Sequence, residues 1–221
     1  QVQNDGEVKK IGAAVDAGLE PFKSATKNGV DFLIVHHGLF WTPPTPLTGP
    51  NYSKVHHCLT NNLAVYGAHL PLDCHPEIGN NAIIAAKLNL EFHSTFLPFE
   101  GNDIGLIVEC PHKREDLHSQ LKIIFTQGIK AMEFGSANPS KVAILSGSGQ
   151  SAVNKILDAG SDTLVTGELK QQHFNLAQEL GLNLYACGHY ATETFGVNAL
   201  AKEVADKFNL PYEFIETECL L

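Results

Sequence analysis

Two adjacent histidines, His36 and His37, end the apolar run of residues 31–35 and are followed by a glycine. Imidazole nitrogens at the end of a strand are good ligands for divalent transition metals. Consecutive strand residues point to opposite faces, so both rings reach one region only if the strand ends there, and Gly38 permits that turn. The alternative is that two polar residues simply close a strand or cap the next element.

A second pattern places an imidazole and a carboxylate four residues apart at two places in the chain. His69 precedes Asp73 in this way, and His189 precedes Glu193. In a helix, this spacing brings both groups to one face. The alternative is a surface salt bridge worth about 0.3–0.5 kcal/mol. The two occurrences strengthen each other because they fall at matched positions of an internal repeat.

The repeat relates the first part of the chain to the last. Residues 28–38 align with residues 159–169, and residues 65–73 align with residues 184–193 after one small gap. A predicted strand precedes each of the segments 28–38 and 159–169, and Asp16 after the first of these strands matches Gly147 after the second. The two aligned pairs are separated by different numbers of residues. We assign this difference to an insertion in the first half, the proline-rich loop 42–50. Repeated sequence of this length indicates two structurally related halves.

Short apolar runs separated by helical patterns are typical of α/β proteins. We predict strands near residues 8–15, 31–35, 63–66, 142–145, 162–166 and 182–186. Between residues 104 and 134 we predict a strand, then a helix at 114–127, then another strand. We predict further helices at 19–28 and 79–88, one opened by the glycine-rich turn 146–149, and a long amphipathic helix through residues 197–208.

The predicted fold is therefore α/β, with two intertwined, internally repeated halves and mixed sheets around a metal site. Residues 1–100 form the first repeat, residues 101–135 a short middle β-α-β connecting unit, and residues 136–221 the second repeat. Sites in such folds lie where strands end.

Five side chains then form the predicted metal site: His36, His37, Asp73, His189 and Glu193. A carboxylate can bridge two cations held about 3.5–4 Å apart, and a single ion would not need five such ligands. This mixed set suits two divalent ions of Zn, Fe, Mn, Co or Ni better than Ca or Cu(I). We expect His69 to lie next to these ligands and to hold them in place without binding the metal ions itself.

Other polar residues rank lower as candidates. Glu168, which matches His37 in the repeat, and His173 are candidates for proton transfer or substrate contact; the alternative is a plain pair at a helix start. His56 and His57 lack a preceding apolar strand and are interpreted as a solvated helix face. The Ser146–Gly149 turn could seat an anion, but no Lys-Ser/Thr follows as in a phosphate-binding loop.

Composition limits the class of protein. The chain has 221 residues, 43% of them hydrophobic, which is enough to bury a core. A net charge of −9 disfavours nucleic-acid binding. Five widely spaced cysteines predict reduced thiols and a cytoplasmic location. No apolar stretch is long enough to span a bilayer. Since the sequence starts at Gln1 without Met, we expect preceding residues in a longer natural chain.

Several longer motifs resemble one known family. The stretches DFLIVHHGLFW, AHLPLD, SGSG, TGELKQQHF and GHYATETFGVNALAKEV are similar to the NGG1-interacting-factor-3-like family, over essentially the whole chain. Members of that family are called type 2 homologues of GTP cyclohydrolase I. The chain departs from the pattern at Gly38, where the family often has proline, and it lacks the family's N-terminal helix and the extra middle domain of longer members.

The resemblance implies intertwined α/β units, a dinuclear metal site and a ring-shaped homohexamer. By motif, the family's ligands fall on the same five residues, with Glu193 as the bridging carboxylate. The first functional hypothesis is a metal-dependent hydrolase acting on a nucleotide-like or heterocyclic small molecule. The alternative is a non-catalytic protein that handles metal or binds a protein partner.

Overall fold

The computed structural model of the protein describes residues 1–40, 43, 45–217 and 219. These form two compact units that interleave along the chain: Gln1–Leu72 together with the segment beginning at Gly196, and the central segment Asp73–Phe195. Two positions of the predicted loop 42–50, residues 42 and 44, lie outside the described residues. The predicted repeat boundaries at residues 100 and 135 stay a prediction.

Strands and helices alternate along most of the described chain. The strands are β1 (Ile11–Asp16), β2 (Phe32–His37), β3 (Ala64–Gly67), β4 (Glu91–Phe99), β5 (Asn102–Glu109), β6 (Lys130–Glu133), β7 (Lys141–Ser148), β8 (Thr163–Glu168), β9 (Asn183–Ala186) and β10 (Tyr212–Phe214). The helices are α1 (Leu19–Lys27), α2 (Gly49–Thr60), α3 (Leu70–Asp73), α4 (Asn80–Lys87), α5 (Arg114–Ile124), α6 (Gln172–Leu180) and α7 (His189–Phe208).

The first unit is built on a four-stranded, fully parallel sheet in the order β10-β1-β2-β3. Residues 13–15 and 33–35 are buried, because a parallel sheet is covered on both faces and its strands become continuous apolar runs. Phe22 of α1 and Cys58 of α2 pack against these strands. Helix α1 ends before Asn28-Gly29, as predicted, and Gly29 takes a φ of +77°.

The carboxyl ends of the first unit's strands collect its polar residues. Asp16 and His37, the last residues of β1 and β2, lie opposite each other in the register. Ala68 follows β3 and donates its N–H to the carbonyl of Val35 at 2.9 Å. Parallel strands end at the same edge of a sheet, so His36, His37 and the segment after β3 become neighbours.

The second unit is built on a six-stranded mixed sheet in the order β4-β5-β7-β8-β9-β6. Strands β7, β8 and β9 are parallel, whereas β4 and β5 form an antiparallel hairpin and β6 pairs antiparallel with β9. Leu117 and Leu121 of α5 pack with Tyr185 in one buried cluster. A second buried cluster contains Val153, Ile156 and Leu164.

The α/β fold class is confirmed, with one sheet fully parallel and the other mixed. Each unit contains a trio of adjacent parallel strands, β1-β2-β3 and β7-β8-β9. These trios match the sequence repeat, in which β2 aligns with β8. The predicted long helix is present as α7, and it buries Val197 and Ala201 of the predicted face. Phe208, which was also placed on that face, is exposed, and Ala205 is buried instead.

Two sequence predictions need correction. The glycine-rich segment 146–149 does not open a helix: β7 continues to Ser148, and residues 151–160 form consecutive turns. There, i→i−3 bonds such as Lys155 N–H to Ala152 mix with i→i−4 bonds such as Ile156 N–H to Ala152, so no regular helix propagates. Strand β4 was not predicted, because a register shift between Phe92 and Ser94 interrupts its alternation.

Strands β5 and β6, which flank α5 as predicted for residues 104–134, are not neighbours in the sheet, since β7, β8 and β9 lie between them. Within the described part of the chain, no helix combines the length and apolar character needed to cross a membrane.

Candidate metal centre

Three histidines of the first unit form a tight group. The ring centroids of His36 and His37 are 4.9 Å apart, and His69 lies 4.9 Å from the first and 5.2 Å from the second. Each ring offers one ligand nitrogen, and these nitrogens lie within 4.8 Å of one another. His36 is fully buried. The structure therefore brings His69 as close to His36 and His37 as these two rings are to each other.

Hydrogen bonds fix the orientation of two of these rings. His36 Nδ1 donates to the carbonyl of Ala68 at 3.1 Å, and His37 Nδ1 donates to Asp16 Oδ1 at 2.8 Å. Both partners can only accept, so Nδ1 carries the proton and Nε2 is the nitrogen that could bind a metal ion. Histidines that bind metals in proteins are held in this way, by a carbonyl or carboxylate at the other ring nitrogen.

The second unit contributes a histidine and a carboxylate from the first turns of α7. His189 Nε2 lies 3.3 Å from Glu193 Oε1, one helical turn on. The hydrogen bond with Glu193 raises the pKa of His189 to about 9, against the opposing effect of burial. Glu193 itself is only 3% exposed. The helical spacing predicted for this pair is thus observed.

Two glycines allow the strand ends to approach this pair closely. Gly147 has a φ of +64°, and a β-carbon there would collide with Glu193 Oε1. A β-carbon at Gly167 would lie 2.7 Å from Thr192 Oγ1. Thr192 Oγ1 also accepts the N–H of Gly147 at 3.0 Å. Glu193 and Thr192 can pack this closely against the strand ends because neither glycine carries a side chain.

Asp73 is held by two donors. Asn80 Nδ2 and Ser146 Oγ both donate to Asp73 Oδ1, at 2.7 and 2.9 Å. Asn81 connects the neighbouring elements, since its Oδ1 accepts the N–H of Ser146 and its Nδ2 donates to the carbonyl of Ile104. All three supporting side chains are buried. They orient the carboxylate so that its second oxygen, Oδ2, can act as a ligand.

The two residues predicted to transfer protons lie in different surroundings. Glu168 Oε1 lies 3.4 Å from His189 Nδ1, and Glu168 also lines a cavity of about 400 Å³ at the ends of β8 and β9. His173 is only 4% exposed. Its Nδ1 accepts the N–H of Lys170 at 2.9 Å, and burial lowers its pKa. These contacts favour a role at the start of α6 for His173.

Sequence reasoning missed the residues that orient the ligands: Asp16, Asn80, Asn81 and Ser146. Asp16 carried a signal, because it ends the strand that the repeat places before the histidine strand. His56 and His57 lie on helix α2, as predicted.

The donors of both units fit a divalent transition metal. Imidazole nitrogens with fixed tautomers and buried carboxylates are the ligands that Zn, Fe, Mn, Co and Ni share. In the first unit the ligand nitrogens are close enough to share an ion. In the second, an ion could replace the proton shared by His189 and Glu193, since both groups are ligands once that proton leaves.

An α/β chain with imidazole and carboxylate donors gathered at strand ends is typical of metal-dependent proteins. The model of the family Duf34/NIF3 (NGG1p interacting factor 3) matches residues 1–219, and the chain belongs to this family.

Relatives and solved structures agree with this assignment. The chain is 38% identical to a Deinococcus radiodurans protein called GTP cyclohydrolase 1 type 2 homolog, over 97% of this chain and 82% of the relative. It superposes on TTHA1606 from Thermus thermophilus with a TM-score of 0.88 and 36% identity, over 100% of this chain and 88% of the other. It superposes on reduced HcgD from Methanocaldococcus jannaschii with a TM-score of 0.87 and 29% identity, over 98% and 88% of the two chains.

Proposed function

We propose that this protein holds two divalent transition-metal ions and hydrolyses a nucleotide-like or heterocyclic small molecule. The proposed ligands are His36, His37, Asp73, His189 and Glu193. The observation that carries the proposal is the three-histidine group of the first unit, in which two rings have their tautomers set by Ala68 and Asp16.

The structure of that group argues against a purely structural role. Three imidazoles this close together can donate nitrogen lone pairs to one cation, which packing alone would not require. The carbonyl and carboxylate that hold Nδ1 make Nε2 a better electron donor. Because His69 belongs to the same group, we add it to the candidate ligands of the first unit.

Divalent ions supply Lewis acidity, which polarises an electrophilic carbon or phosphorus centre and makes water acidic enough to attack near neutral pH. Glu193 is suited to bridge two ions, because its carboxylate is buried and carries two oxygens. Glu168 is suited to accept a proton, because it contacts His189 and lines a cavity that a small molecule can enter. The name of the relatives supports a nucleotide-like substrate.

The test is metal content per chain by elemental analysis, followed by a hydrolysis screen of the metal-loaded protein on nucleotides, phosphoesters and cyclic amides. We expect about two ions per wild-type chain and a sharp loss in Glu193→Ala. Glu203→Ala is the matched control, because Glu203 is an exposed carboxylate on the same helix. Wild-type chains without metal would refute the proposal.

The outcome of the screen separates the two functional hypotheses. Turnover that requires the metals and falls in Glu168→Gln supports the hydrolase. Two bound metals with no turnover of any substrate class favour the non-catalytic, metal-handling alternative.

We also propose, from the family resemblance, a homohexamer located in the cytoplasm. All five cysteines are free thiols, which agrees with a reducing compartment. Light scattering on the purified protein tests the hexamer: a mass well below six chains would contradict it.

A further inference from the structure

We propose that a cavity beside Asp73 binds the planar ring of a nitrogen heterocycle whose N–H groups donate to Asp103. The cavity has a volume of about 320 Å³ and lies within the second unit, between α4 and the strands β4 and β5. This volume is in the range of small-molecule sites. The inference rests on the proposed function, since it names the part of the substrate that would be held next to a metal ligand.

Two walls of the cavity are apolar. Ala82, Ala85 and Ala86 of α4 form one side, and Leu106 and Val108 of β5 line another. Methyl groups along the helix leave an open slot where longer side chains would fill the space. A flat ring that packs against these apolar walls removes apolar surface from water, which is the main source of affinity for an aromatic ligand.

Two polar side chains give the cavity hydrogen-bonding specificity. The Asp103 carboxylate is held in place by Thr95, whose Oγ1 donates to Oδ2 at 2.7 Å. A carboxylate accepts two parallel hydrogen bonds from a ring N–H and an adjacent amino group. His75 Nδ1 accepts the N–H groups of Glu77 and Ile78, both at 3.2 Å. Its Nε2 therefore carries a proton and can donate to a ring carbonyl.

The charge of the cavity excludes a phosphate as its occupant. Among the described residues, the lining contains no lysine or arginine, whereas it contains the carboxylates of Asp73 and Asp103. Two negative groups repel a phosphate and attract N–H donors. The cavity therefore selects the heterocyclic part of a substrate, with ring N–H, amino and carbonyl groups along one edge.

The first experiment measures binding of guanosine and of pterin to the full chain by isothermal titration calorimetry, since both molecules present this edge. We expect Asp103→Asn to weaken binding about tenfold or more, because a hydrogen bond to a charged acceptor is lost. Glu91→Gln is the matched control: Glu91 is an exposed acid of β4 that does not line the cavity. We expect 1-methylguanosine, which lacks the ring N–H, to bind wild type as weakly as guanosine binds Asp103→Asn.

The second experiment fills the slot. Ala86 is exposed at the cavity edge, so Ala86→Trp should fold and block ring entry. Lys87→Trp adds the same side chain at the next position of α4, where Lys87 lies over the ring of Phe195. We expect guanosine binding to be lost in the first variant and retained in the second.

Equal binding to wild type, Asp103→Asn and Ala86→Trp would overturn the inference, as would no binding of either probe. Metal content measured on the same samples separates the two proposals. A chain that holds metal but binds neither probe refutes only the cavity assignment. A chain that binds guanosine through Asp103 but holds no metal refutes only the proposed function.

Discussion

The two units orient their candidate ligands with hydrogen bonds of opposite polarity. In the first unit the supporting groups are acceptors: the Ala68 carbonyl and the Asp16 carboxylate hold imidazole N–H groups. In the second unit the supporting groups are donors: Asn80 and Ser146 hold the carboxylate of Asp73. Each support has the polarity that its ligand requires: acceptors for the imidazoles of His36 and His37, and donors for the carboxylate of Asp73.

The difference shows how a repeated backbone supports different chemistry. The strand trios β1-β2-β3 and β7-β8-β9 share order and direction, yet the residues at matched positions differ. Where β1 ends in Asp16, the repeat places Gly147, which leaves room for Glu193. Where β2 ends in His37, the repeat places Glu168. The shared backbone supplies the edge, and single substitutions at strand ends decide whether it presents imidazoles or carboxylates.

The largest expected effect is that of a β-carbon at the glycine of the second unit. We expect Gly147→Ala to lower the free energy of unfolding by about 2–4 kcal/mol, from left-handed backbone strain plus overpacking, and to reduce bound metal by displacing Glu193. Gly160→Ala is the control, since Gly160 has a φ of +81° and no atom near its missing β-carbon. Urea denaturation and elemental analysis measure both effects; equal losses in the two variants would contradict the close approach.

The matching test in the first unit removes Asp16. We expect Asp16→Ala to weaken metal binding about 10–100-fold, because His37 loses the carboxylate that orients its ring. Asp16→Asn should fall between this variant and wild type, since the amide oxygen still accepts the N–H. Chelator competition gives the affinities, with the exposed Glu20→Gln as control. Unchanged affinity in Asp16→Ala would show that this carboxylate has no part in metal binding.

A smaller effect is expected for the donors that hold Asp73. We expect Asn80→Ala to cost about 1–2 kcal/mol of stability, because it removes one donor from a buried carboxylate that retains Ser146. Metal affinity should fall less than in Asp16→Ala. Asn138→Ala, at an exposed position of the same unit, serves as control in urea denaturation. A neutral Asn80→Ala would mean that Ser146 alone orients the carboxylate.

The smallest effect concerns one carboxylate in each unit away from the metal ligands. Burial raises the pKa of Glu133, but hydrogen bonds from His118 and Tyr185 outweigh it and leave this pKa below its ordinary value. The hydrogen bond from Lys10 lowers the pKa of Glu213 in the first unit. A carboxyl whose pKa is depressed on folding stabilises the fold above its unfolded pKa and loses this contribution as pH falls.

We therefore expect the free energy of unfolding of wild type to decline between about pH 5 and pH 3. The decline should be less steep in Glu133→Gln and in Glu213→Gln, and each variant should differ from wild type by less than about 1 kcal/mol. Urea denaturation across this range measures the slopes. A slope that is unchanged in both variants would show that neither carboxyl contributes to acid sensitivity.

The α/β class, the long helix and the one-turn spacing of His189 and Glu193 on it followed from the sequence, because periodicity and repeated motifs are local signals. The supporting residues did not follow. The role of Asp16 depends on its register opposite His37, and that of Ser146 depends on contact with a residue far along the chain, Asp73. A helix was predicted after the glycine-rich segment, yet residues 151–160 form consecutive turns with mixed hydrogen-bond spacing. Pairing across long separations is not encoded in local sequence.

The pairing of β10 with β1 has a consequence for synthesis of the protein. Ile11 and Tyr212 are partners in the first sheet although about two hundred residues separate them. During translation, β1 therefore keeps an open hydrogen-bonding edge until β10, about two hundred residues later, has left the ribosome. The central segment Asp73–Phe195 is complete well before then. We expect this segment to fold first. Strands β1 to β3 then wait for β10, and in that interval they are the part of the chain most in need of chaperone protection.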